Sequence, residues 1–353
     1  MRRKAIILVA LMALASAAGC DTQVGETAQP KLDATQPEAD VSETTPDASE
    51  PDSTLADSAD LQDGAALEDV DQQNDADADP EFAPPWNAST PPGGVRPALV
   101  FLPDDYQTTR RWPLVIMLHG YSSNAAGSNT YLGLEAHTTS HGYIGIAPEG
   151  LRDSVGNRFW NATDACCDNN DNGVDDVAYL TALIDEAEQR LAVDPERIYL
   201  IGHSNGGFMS YRLACELGSR IAALASLAGS EHDKASDCTA PGKTGVLQIH
   251  GTLDSVVLYG GGMFYGNRYP GAEDVVARWA TRNGCEPSPT RLENIDVTSL
   301  ILGKETEVER WSACDDDSSV ELWRIRGGSH IPALTAHFTG NVLDFLFRHR
   351  GRR

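Results

Sequence analysis

Residues 197–208 read Arg197-Ile198-Tyr199-Leu200-Ile201-Gly202-His203-Ser204-Asn205-Gly206-Gly207-Phe208. An apolar run typical of a buried strand leads into a Gly-x-Ser-x-Gly motif, and a helical pattern follows from Phe208 to Glu216. In this context the serine lies on a sharp strand-to-helix turn that exposes its hydroxyl, and the glycines let the backbones approach closely. The stretch therefore predicts Ser204 as a nucleophile. The backbone N–H of Asn205, at the positive end of the helix dipole, is predicted to bind a forming oxyanion.

On both sides of this motif, apolar runs alternate with stretches of helical period. This pattern predicts an α/β domain over residues 86–353, with a mostly parallel central sheet and helices on both of its faces. Strands are predicted at Ala98–Leu102, Leu114–Leu118, Tyr143–Ala147, Ile198–Ile201, Ala222–Leu227, Val246–Ile249 and Val320–Ile325. Helices are predicted at Val177–Leu191, Phe208–Glu216, Ala272–Asn283 and Asn341–Arg348.

A nucleophilic serine needs a histidine as its base, and the histidine needs a carboxylate that orients it. Where the serine lies on a strand-to-helix turn, the chain order is serine, acid, histidine. Two histidines follow the motif at strand ends: His250, four residues before Asp254, and His330, after a Gly-Gly-Ser turn. The assignment that supplies both partners takes Asp254 as the acid and His330 as the base. It leaves His250 as a scaffold residue.

The second oxyanion donor is expected in the loop after the strand Leu114–Leu118. There Gly120 lets the backbone turn toward the site, and the backbone N–H of Tyr121 is the predicted donor. His203 adjoins the nucleophile, so its side chain should point elsewhere. Both His203 and His119 are predicted to be scaffold residues.

The first 20 residues resemble an export signal of the lipoprotein type. Arg2, Arg3 and Lys4 precede an apolar run too short to span a bilayer, and small residues then lead to Cys20. In bacterial lipoproteins such a cysteine carries the lipid and becomes the mature N-terminus, so Cys20 is the predicted lipidation site. Ordinary signal-peptide cleavage a few residues upstream is the alternative. The predicted location is outside the cytoplasm, either anchored to a bacterial membrane by lipid or secreted.

Residues 21–85 have the composition of a disordered acidic linker. They hold 19 acidic residues against one basic residue, Lys31, and few large apolar side chains. Such a segment repels itself and cannot bury enough apolar surface to offset the entropy of ordering. The remainder of the chain is also acidic, so it lacks the excess of basic residues with which proteins bind the phosphates of nucleic acid. Because no later apolar run is long enough to cross a bilayer, membrane contact is expected through the lipid anchor only.

Together, the motifs resemble the esterase family that includes poly(3-hydroxybutyrate) depolymerases and feruloyl esterases. The resemblance implies the α/β-hydrolase fold, hydrolysis of carboxylic esters through an acyl-enzyme, and the same Ser-His-Asp triad. It leaves the ester open, because the family spans polyesters, hydroxycinnamoyl esters and acylated sugars, some of them polymeric. The stretches that carry it are Leu118–Tyr121, Trp160-Asn161 with Cys166-Cys167, Val174–Val177, Gly202–Gly207, His250–Asp254 and Gly328–His330.

Six cysteines follow the lipidation site, an even number in a chain expected to be exported, so disulfides are predicted. The adjacent Cys166 and Cys167 are left open between a disulfide and two thiols. For the other four, proximity in the chain favours two local pairs, and the resemblance points the same way: Cys215 with Cys238, and Cys285 with Cys314.

Neither a metal nor a cofactor is predicted. No cysteine or histidine pairs have the spacing of a zinc site. Residues 168–176 place oxygen-bearing side chains at alternate positions, like half of an EF-hand loop, but Tyr179 stands where that loop needs a bidentate glutamate. A polar loop that caps a helix explains the pattern, and calcium remains the alternative.

Two stretches concern the substrate. Only 18 residues separate the strands that end at Leu227 and begin at Val246, which leaves no room for a large lid, so an open site is predicted. Residues 256–271 carry aromatic side chains on a glycine-rich segment directly after the acid. Tyr259 and Tyr265 are predicted to stack on the substrate, together with a contact from Trp160. Packing within the segment is the alternative.

Two other functions stay open from the sequence: a peptidase of the same fold and a non-catalytic, surface-binding lipoprotein. A peptidase must protonate an amine leaving group and bind peptide ends, and the sequence identifies neither device. An inactive scaffold usually lacks a member of the triad, and all three members are present here. Hydrolysis of carboxylic esters is therefore the predicted function.

Overall fold

The computed structural model describes residue 86 and residues 91–170, 172–239 and 243–351. The predicted signal, Cys20 and the linker at 21–85 lie outside the described residues. Within them, the chain forms a nine-stranded sheet. Its strands, in spatial order, are β1 (Leu99–Phe101), β3 (Ile144–Ala147), β2 (Trp112–Leu118), β6 (Val193–His203), β7 (Ala223–Leu227), β8 (Gly245–Gly251), β13 (Val320–Ile325), β12 (Thr306–Trp311) and β11 (Thr290–Arg291).

The middle of the sheet is parallel, from β3 through β13. Antiparallel strands close both edges: β1 at one side, β12 and β11 at the other. Two short hairpins lie apart from the sheet, β4 (Leu151–Arg152) with β5 (Arg158–Phe159) and β9 (Gly262–Phe264) with β10 (Asn267–Tyr269). The helices are α1 (Ala125–Leu132), α2 (Thr138–His141), α3 (Asp176–Arg190), α4 (Asn205–Leu217), α5 (Ala272–Arg282) and α6 (Phe338–Leu346).

The apolar core lies on both faces of the sheet. Along β2, Leu114 and Ile116 belong to one buried cluster, whereas Val115 and Met117 belong to the other, as the two-residue period of a strand requires. Helices α3, α4 and α5 cover the first face, and α1 and α6 cover the second. The predicted α/β-hydrolase fold, a mostly parallel sheet between two layers of helices, is confirmed.

Each of the predicted strands and helices exists, with ends that differ by a few residues. The prediction missed β12, whose side chains alternate between buried and half-buried, because the search sought the continuous apolar runs of central parallel strands. It also missed α1, whose sequence AAGSNTYL has almost no apolar stripe. In the described part of the chain, no helix is both long and apolar enough to cross a membrane.

Candidate active site

Three strands deliver the predicted triad to one edge of the sheet. Ser204 follows β6, Asp254 lies just beyond β8, and His330 follows β13 by a short turn. These strands run parallel, so their carboxyl ends lie along the same edge, where α/β sheets place their ligand sites. The topology therefore brings together side chains that lie up to 126 residues apart in the chain.

His330 bridges the other two residues. Its Nε2 lies 2.9 Å from Ser204 Oγ, and its Nδ1 lies 2.7 Å from Asp254 Oδ2. The opposite carboxylate oxygen of Asp254 accepts hydrogen bonds from the backbone N–H groups of Val256 and Val257, at 2.8 and 3.0 Å. A serine hydroxyl in this arrangement can pass its proton to the imidazole while the carboxylate holds the ring.

The carboxyl group of Asp254 is ionised although it is buried. Burial alone would raise the pKa of this carboxyl group, but hydrogen bonds from His250 and His330 outweigh it and hold the pKa well below the ordinary value. The resulting negative charge favours the imidazolium that forms when His330 takes up a proton.

Ser204 lies on the strained turn that the motif predicts. Its φ is +54° and its ψ is −120°, a conformation that L-residues rarely adopt. The flanking glycines are required by space: a Cβ at Gly202 would lie 2.1 Å from the Gly206 oxygen, and one at Gly206 would lie 2.0 Å from the Leu118 oxygen. The strand, the turn and the helix therefore meet too closely for side chains, and Ser204 is left projecting from the turn.

Both predicted oxyanion residues adjoin the nucleophile. Asn205 is the first residue of α4, where a backbone N–H has no acceptor within its own helix. Its side-chain amide is fixed by the backbone N–H and carbonyl of Trp160, at 2.7 and 2.9 Å. Tyr121 lines the site beside Ser204, and its phenol donates to the Asp153 carboxylate. The neighbouring Gly120 approaches so closely that a Cβ there would lie 3.4 Å from Ser204 Cβ.

His203 has a role that the sequence did not reveal. Its Nε2–H donates to the backbone carbonyl of His330 at 3.0 Å, and the two rings lie 5.1 Å apart. Burial lowers the pKa of His203 to about 4, so the ring is neutral around neutral pH. The prediction that it points away from the site is wrong, because the tight turn at Ser204 leaves the side chain of His203 facing the loop of the base. No signal in a single sequence indicates this contact.

Of the three predicted substrate contacts, only Tyr265 has the right surroundings. Trp160 is fully buried and its indole donates to the His119 carbonyl, so a substrate contact from its ring is ruled out by packing. Tyr259 is half-buried behind the site, where Arg324 and Glu273 bind its hydroxyl. The predictions for Trp160 and Tyr259 are corrected accordingly. Tyr265 is 82% exposed on the turn between β9 and β10.

Two cavities meet at the nucleophile. A wide cavity of about 570 Å³ and an apolar cavity of about 160 Å³ share Ser204, Tyr121 and Val256 in their walls. Neither is lined by the described residues of the connection between β7 and β8. Around Ser204, the described part of that connection therefore provides no lid, in agreement with its short length.

The apolar cavity is walled by the adjacent cysteines, which form a disulfide, and by Phe264 and Tyr265. Asn169 and Tyr265 also line a third, polar cavity of about 550 Å³. Its other walls include Arg212, His232 and Asp164. The three cavities therefore form a row that runs from the nucleophile through an apolar space to a polar one.

The loop at residues 168–176 is closed by protein hydrogen bonds. Asp168 accepts from the Asn172 side chain and from the backbone N–H of Gly173 at 2.8 and 2.9 Å. Asp175 caps α3 through the backbone N–H of Ala178, and the buried Asp176 pairs with an arginine. Among the residues described, which omit position 171, no three acidic, cysteine or histidine side chains are grouped as a metal site would require.

The structure contains both predicted local disulfides. Cys215 on α4 is joined to Cys238, and Cys285 is joined to Cys314. The first ties α4 to the connection after β7, and the second ties the segment after α5 to the end of β12.

Comparison with known proteins gives a consistent group of relatives. The sequence profile of a family described as Phospholipase/Carboxylesterase matches residues 107–267. Feruloyl esterase D of Neurospora crassa is 28% identical over 252 residues, which cover 68% of this chain and 76% of that protein. Feruloyl esterase B of Piromyces equi is 28% identical over 246 residues, which cover 67% of this chain but only 42% of that protein.

Among solved structures, an acetyl xylan esterase from Aspergillus awamori matches with a TM-score of 0.52 at 13% identity. The match covers 71% of this chain and 93% of that one. At this identity the likeness concerns the fold alone.

Proposed function

This chain belongs to the esterases of the α/β-hydrolase fold, and we propose that it hydrolyses carboxylic esters with Ser204 as the nucleophile. The proposal is carried by one observation, the position of His330 between Ser204 and Asp254. Its Nε2 lies 2.9 Å from Ser204 Oγ and its Nδ1 lies 2.7 Å from Asp254 Oδ2, and the backbone of Ser204 has a φ of +54°. Nucleophile, base and orienting acid are within hydrogen-bond reach in the order that acyl transfer requires.

In the proposed mechanism, Ser204 Oγ attacks the ester carbonyl carbon while its proton moves to His330 Nε2. Asp254 stabilises the imidazolium, and the backbone N–H groups of Tyr121 and Asn205 receive the negative charge on the carbonyl oxygen. Collapse of the tetrahedral species breaks the bond to the alcohol, which leaves with the proton of His330. Water, deprotonated by the same histidine, then attacks the acyl-enzyme. Collapse of this second tetrahedral species breaks the bond to Ser204 Oγ, which takes the proton back from His330, and the acid is released.

For the substrate, we propose an aromatic, hydroxycinnamoyl-type ester of a carbohydrate rather than a polyester. A space of about 150 Å³ accommodates a benzene ring, and the apolar cavity is about 160 Å³ and adjoins Ser204. The polar cavity beyond it carries Arg212 and Asp164, opposite charges that suit a neutral, hydroxyl-rich group better than an anion. The relatives named feruloyl esterases support this choice, whereas a polyester offers the polar cavity few hydrogen-bond donors.

Export with lipid attachment at Cys20 is also proposed, with residues 21–85 as an acidic tether to the catalytic domain at 86–353. The three disulfides support an oxidising location. Metabolic labelling with a radioactive fatty acid should mark the wild type and leave Cys20→Ser unlabelled. A wild type that takes up no label would instead indicate plain secretion.

The decisive experiment is labelling with a fluorophosphonate probe, followed by a panel of ester and peptide substrates. We expect the probe to modify Ser204 and to leave Ser204→Ala unmodified, with turnover of aryl esters and none of peptides. A wild type that neither reacts nor turns over esters would favour the non-catalytic surface lipoprotein. Peptide cleavage faster than ester cleavage would favour the peptidase.

A further inference from the structure

Behind Asp254 lies a line of buried polar side chains that the mechanism above does not use. His250 on β8 has its Nε2 3.3 Å from Asp254 Oδ2, the oxygen that His330 also binds, and 2.8 Å from the Val257 carbonyl. On the other side of its ring, Nδ1 lies 3.0 Å from the side-chain amide nitrogen of Gln248. Burying such groups is costly unless each one has a partner, so their arrangement is informative.

The orientation of the Gln248 amide is fixed by its neighbours. Its Nε2 lies 2.9 Å from the Gly229 carbonyl, which can only accept a hydrogen bond, and its Oε1 accepts from the Tyr211 hydroxyl at 2.7 Å. Reversing the amide would place two oxygens against each other at Gly229. Both Gln248 and Tyr211 are fully buried, so no solvent relieves a wrong orientation.

This orientation dictates where His250 carries its proton. Because Gln248 presents an N–H to Nδ1, that nitrogen must be an unprotonated acceptor, and the proton of a neutral ring lies on Nε2. The Nε2–H is then donated to the Val257 carbonyl at 2.8 Å, and Asp254 Oδ2 lies 3.3 Å from the same nitrogen. A second proton on Nδ1 would face the amide N–H of Gln248 at 3.0 Å, donor against donor.

The other groups around His250 do not offer a partner for a positive charge. The Tyr259 ring lies nearly perpendicular to that of His250, with 5.7 Å between the ring centroids, and Arg324 is the β13 residue in register with His250. Among the described contacts, Asp254 is the only carboxylate beside the ring, 3.3 Å from Nε2, and it is already bound by His330. His203 lies near the base and is itself uncharged.

We propose that His250 is a positioning residue for Asp254: Gln248 locks it in the neutral form with the proton on Nε2, so that it holds the carboxylate without competing with His330 for its charge. The proposal rests on the proposed function, because it assigns Asp254 to the triad. This role explains why His250 can lie beside Asp254 while His330 remains the general base.

A matched pair of variants separates this role from mere packing. His250→Gln can place an amide N–H near the position of Nε2, whereas His250→Met fills a similar volume without a donor. With p-nitrophenyl acetate, we expect His250→Gln to keep kcat within about threefold of the wild type, and His250→Met to lower it about tenfold or more with KM little changed. Titration of active sites with the fluorophosphonate probe corrects for any unfolded fraction. Equal loss in both variants would overturn the positioning role.

The locked protonation state is tested by Gln248→Glu. A carboxylate at this position accepts from Nδ1–H, so His250 should become charged beside Asp254. We expect a lower kcat and an acid limb of the kcat/KM profile that moves to lower pH, because a second positive charge hinders protonation of His330. In Gln248→Glu combined with His250→Gln, no imidazole is left to charge, so the shift of the acid limb to lower pH should disappear.

An unshifted acid limb in Gln248→Glu, or a shift that persists in the double variant, would contradict the lock. These outcomes are distinct from failure of the proposed function, in which the wild type itself would show no Ser204-dependent esterase activity.

Discussion

Ser204 occupies a backbone conformation that serves chemistry at the expense of stability. Left-handed φ costs an L-residue roughly 1–2 kcal/mol, and glycine avoids that cost. We therefore predict that Ser204→Gly is inactive yet has a free energy of unfolding about 0.5–1 kcal/mol above that of the equally inactive Ser204→Ala. Urea denaturation and hydrolysis of p-nitrophenyl acetate measure the two properties. Equal stability of the two variants would show that the turn is not strained.

Tyr265 should matter for aryl substrates specifically. A stacking contact contributes roughly 0.5–1.5 kcal/mol, so Tyr265→Ala should raise KM for methyl ferulate about three- to tenfold and leave KM for an acetyl ester unchanged. Tyr259→Phe is the control, because its ring packs behind the site and lines neither cavity beside Ser204. If KM rises equally for both substrates in Tyr265→Ala, the tyrosine supports the loop rather than the ligand.

The structure brings together the three side chains that chain order selects. Ser204, Asp254 and His330 could be selected because each follows an apolar run that ends at the same edge of a parallel sheet. Trp160 and Tyr259 were misassigned because neighbourhood in the chain does not determine the direction of a side chain. Trp160 turns inward, since its backbone N–H and indole N–H find partners only inside the loop packing.

At the level of elements, the sequence predicts the parallel centre better than the edges. Strands β2 and β8 are buried throughout, as is β6 from Ile198 onward, and their continuous apolar runs are easy to recognise. Strand β12 keeps Glu307 and Glu309 half-exposed on one face and Arg310 half-exposed on the other, so its period of two is weak over six residues. The β9–β10 hairpin, which carries Tyr265, has three-residue strands that no hydrophobic pattern can reveal.

The disulfide Cys285–Cys314 holds the segment after α5 to the antiparallel edge. The two cysteines are 29 residues apart, and a loop of this size stabilises a protein by roughly 3 kcal/mol in the chain-entropy model. We predict that Cys285→Ala combined with Cys314→Ala lowers the free energy of unfolding by about this amount and leaves kcat for a small ester unchanged, because neither cysteine lines a cavity beside Ser204. Denaturant unfolding measures the loss. A large fall in kcat would mean that the edge supports the site.

For the whole molecule, buried histidines should make stability depend on pH. Burial lowers the pKa of His119, His203 and His349 from 6.5 to about 4 each. Between these two pH values the unfolded chain binds more protons than the folded chain. The contribution of these histidines to the free energy of unfolding is therefore complete above pH 6.5 and is lost as pH falls toward 4. Together, three such groups make the free energy of unfolding change with pH by up to about 4 kcal/mol per pH unit.

Urea unfolding at pH 5 and pH 7 measures this dependence. His349→Gln is a suitable control, because it removes one of the three groups at a position remote from Ser204. The slope of stability against pH should then fall by about a third. A slope unchanged by the substitution would show that the acid sensitivity between pH 5 and pH 7 originates in other groups. Asp254 is not one of them, because its lowered pKa affects stability only below the ordinary carboxyl range.

The position of β13 in the chain has a consequence for biogenesis. Ser204 and Asp254 follow strands β6 and β8, but His330 follows β13, which is made after both of them. A ribosome must therefore synthesise β13 before Ser204 can meet His330. Under the proposed mechanism, a nascent chain that ends before β13 lacks its base and should hydrolyse no ester.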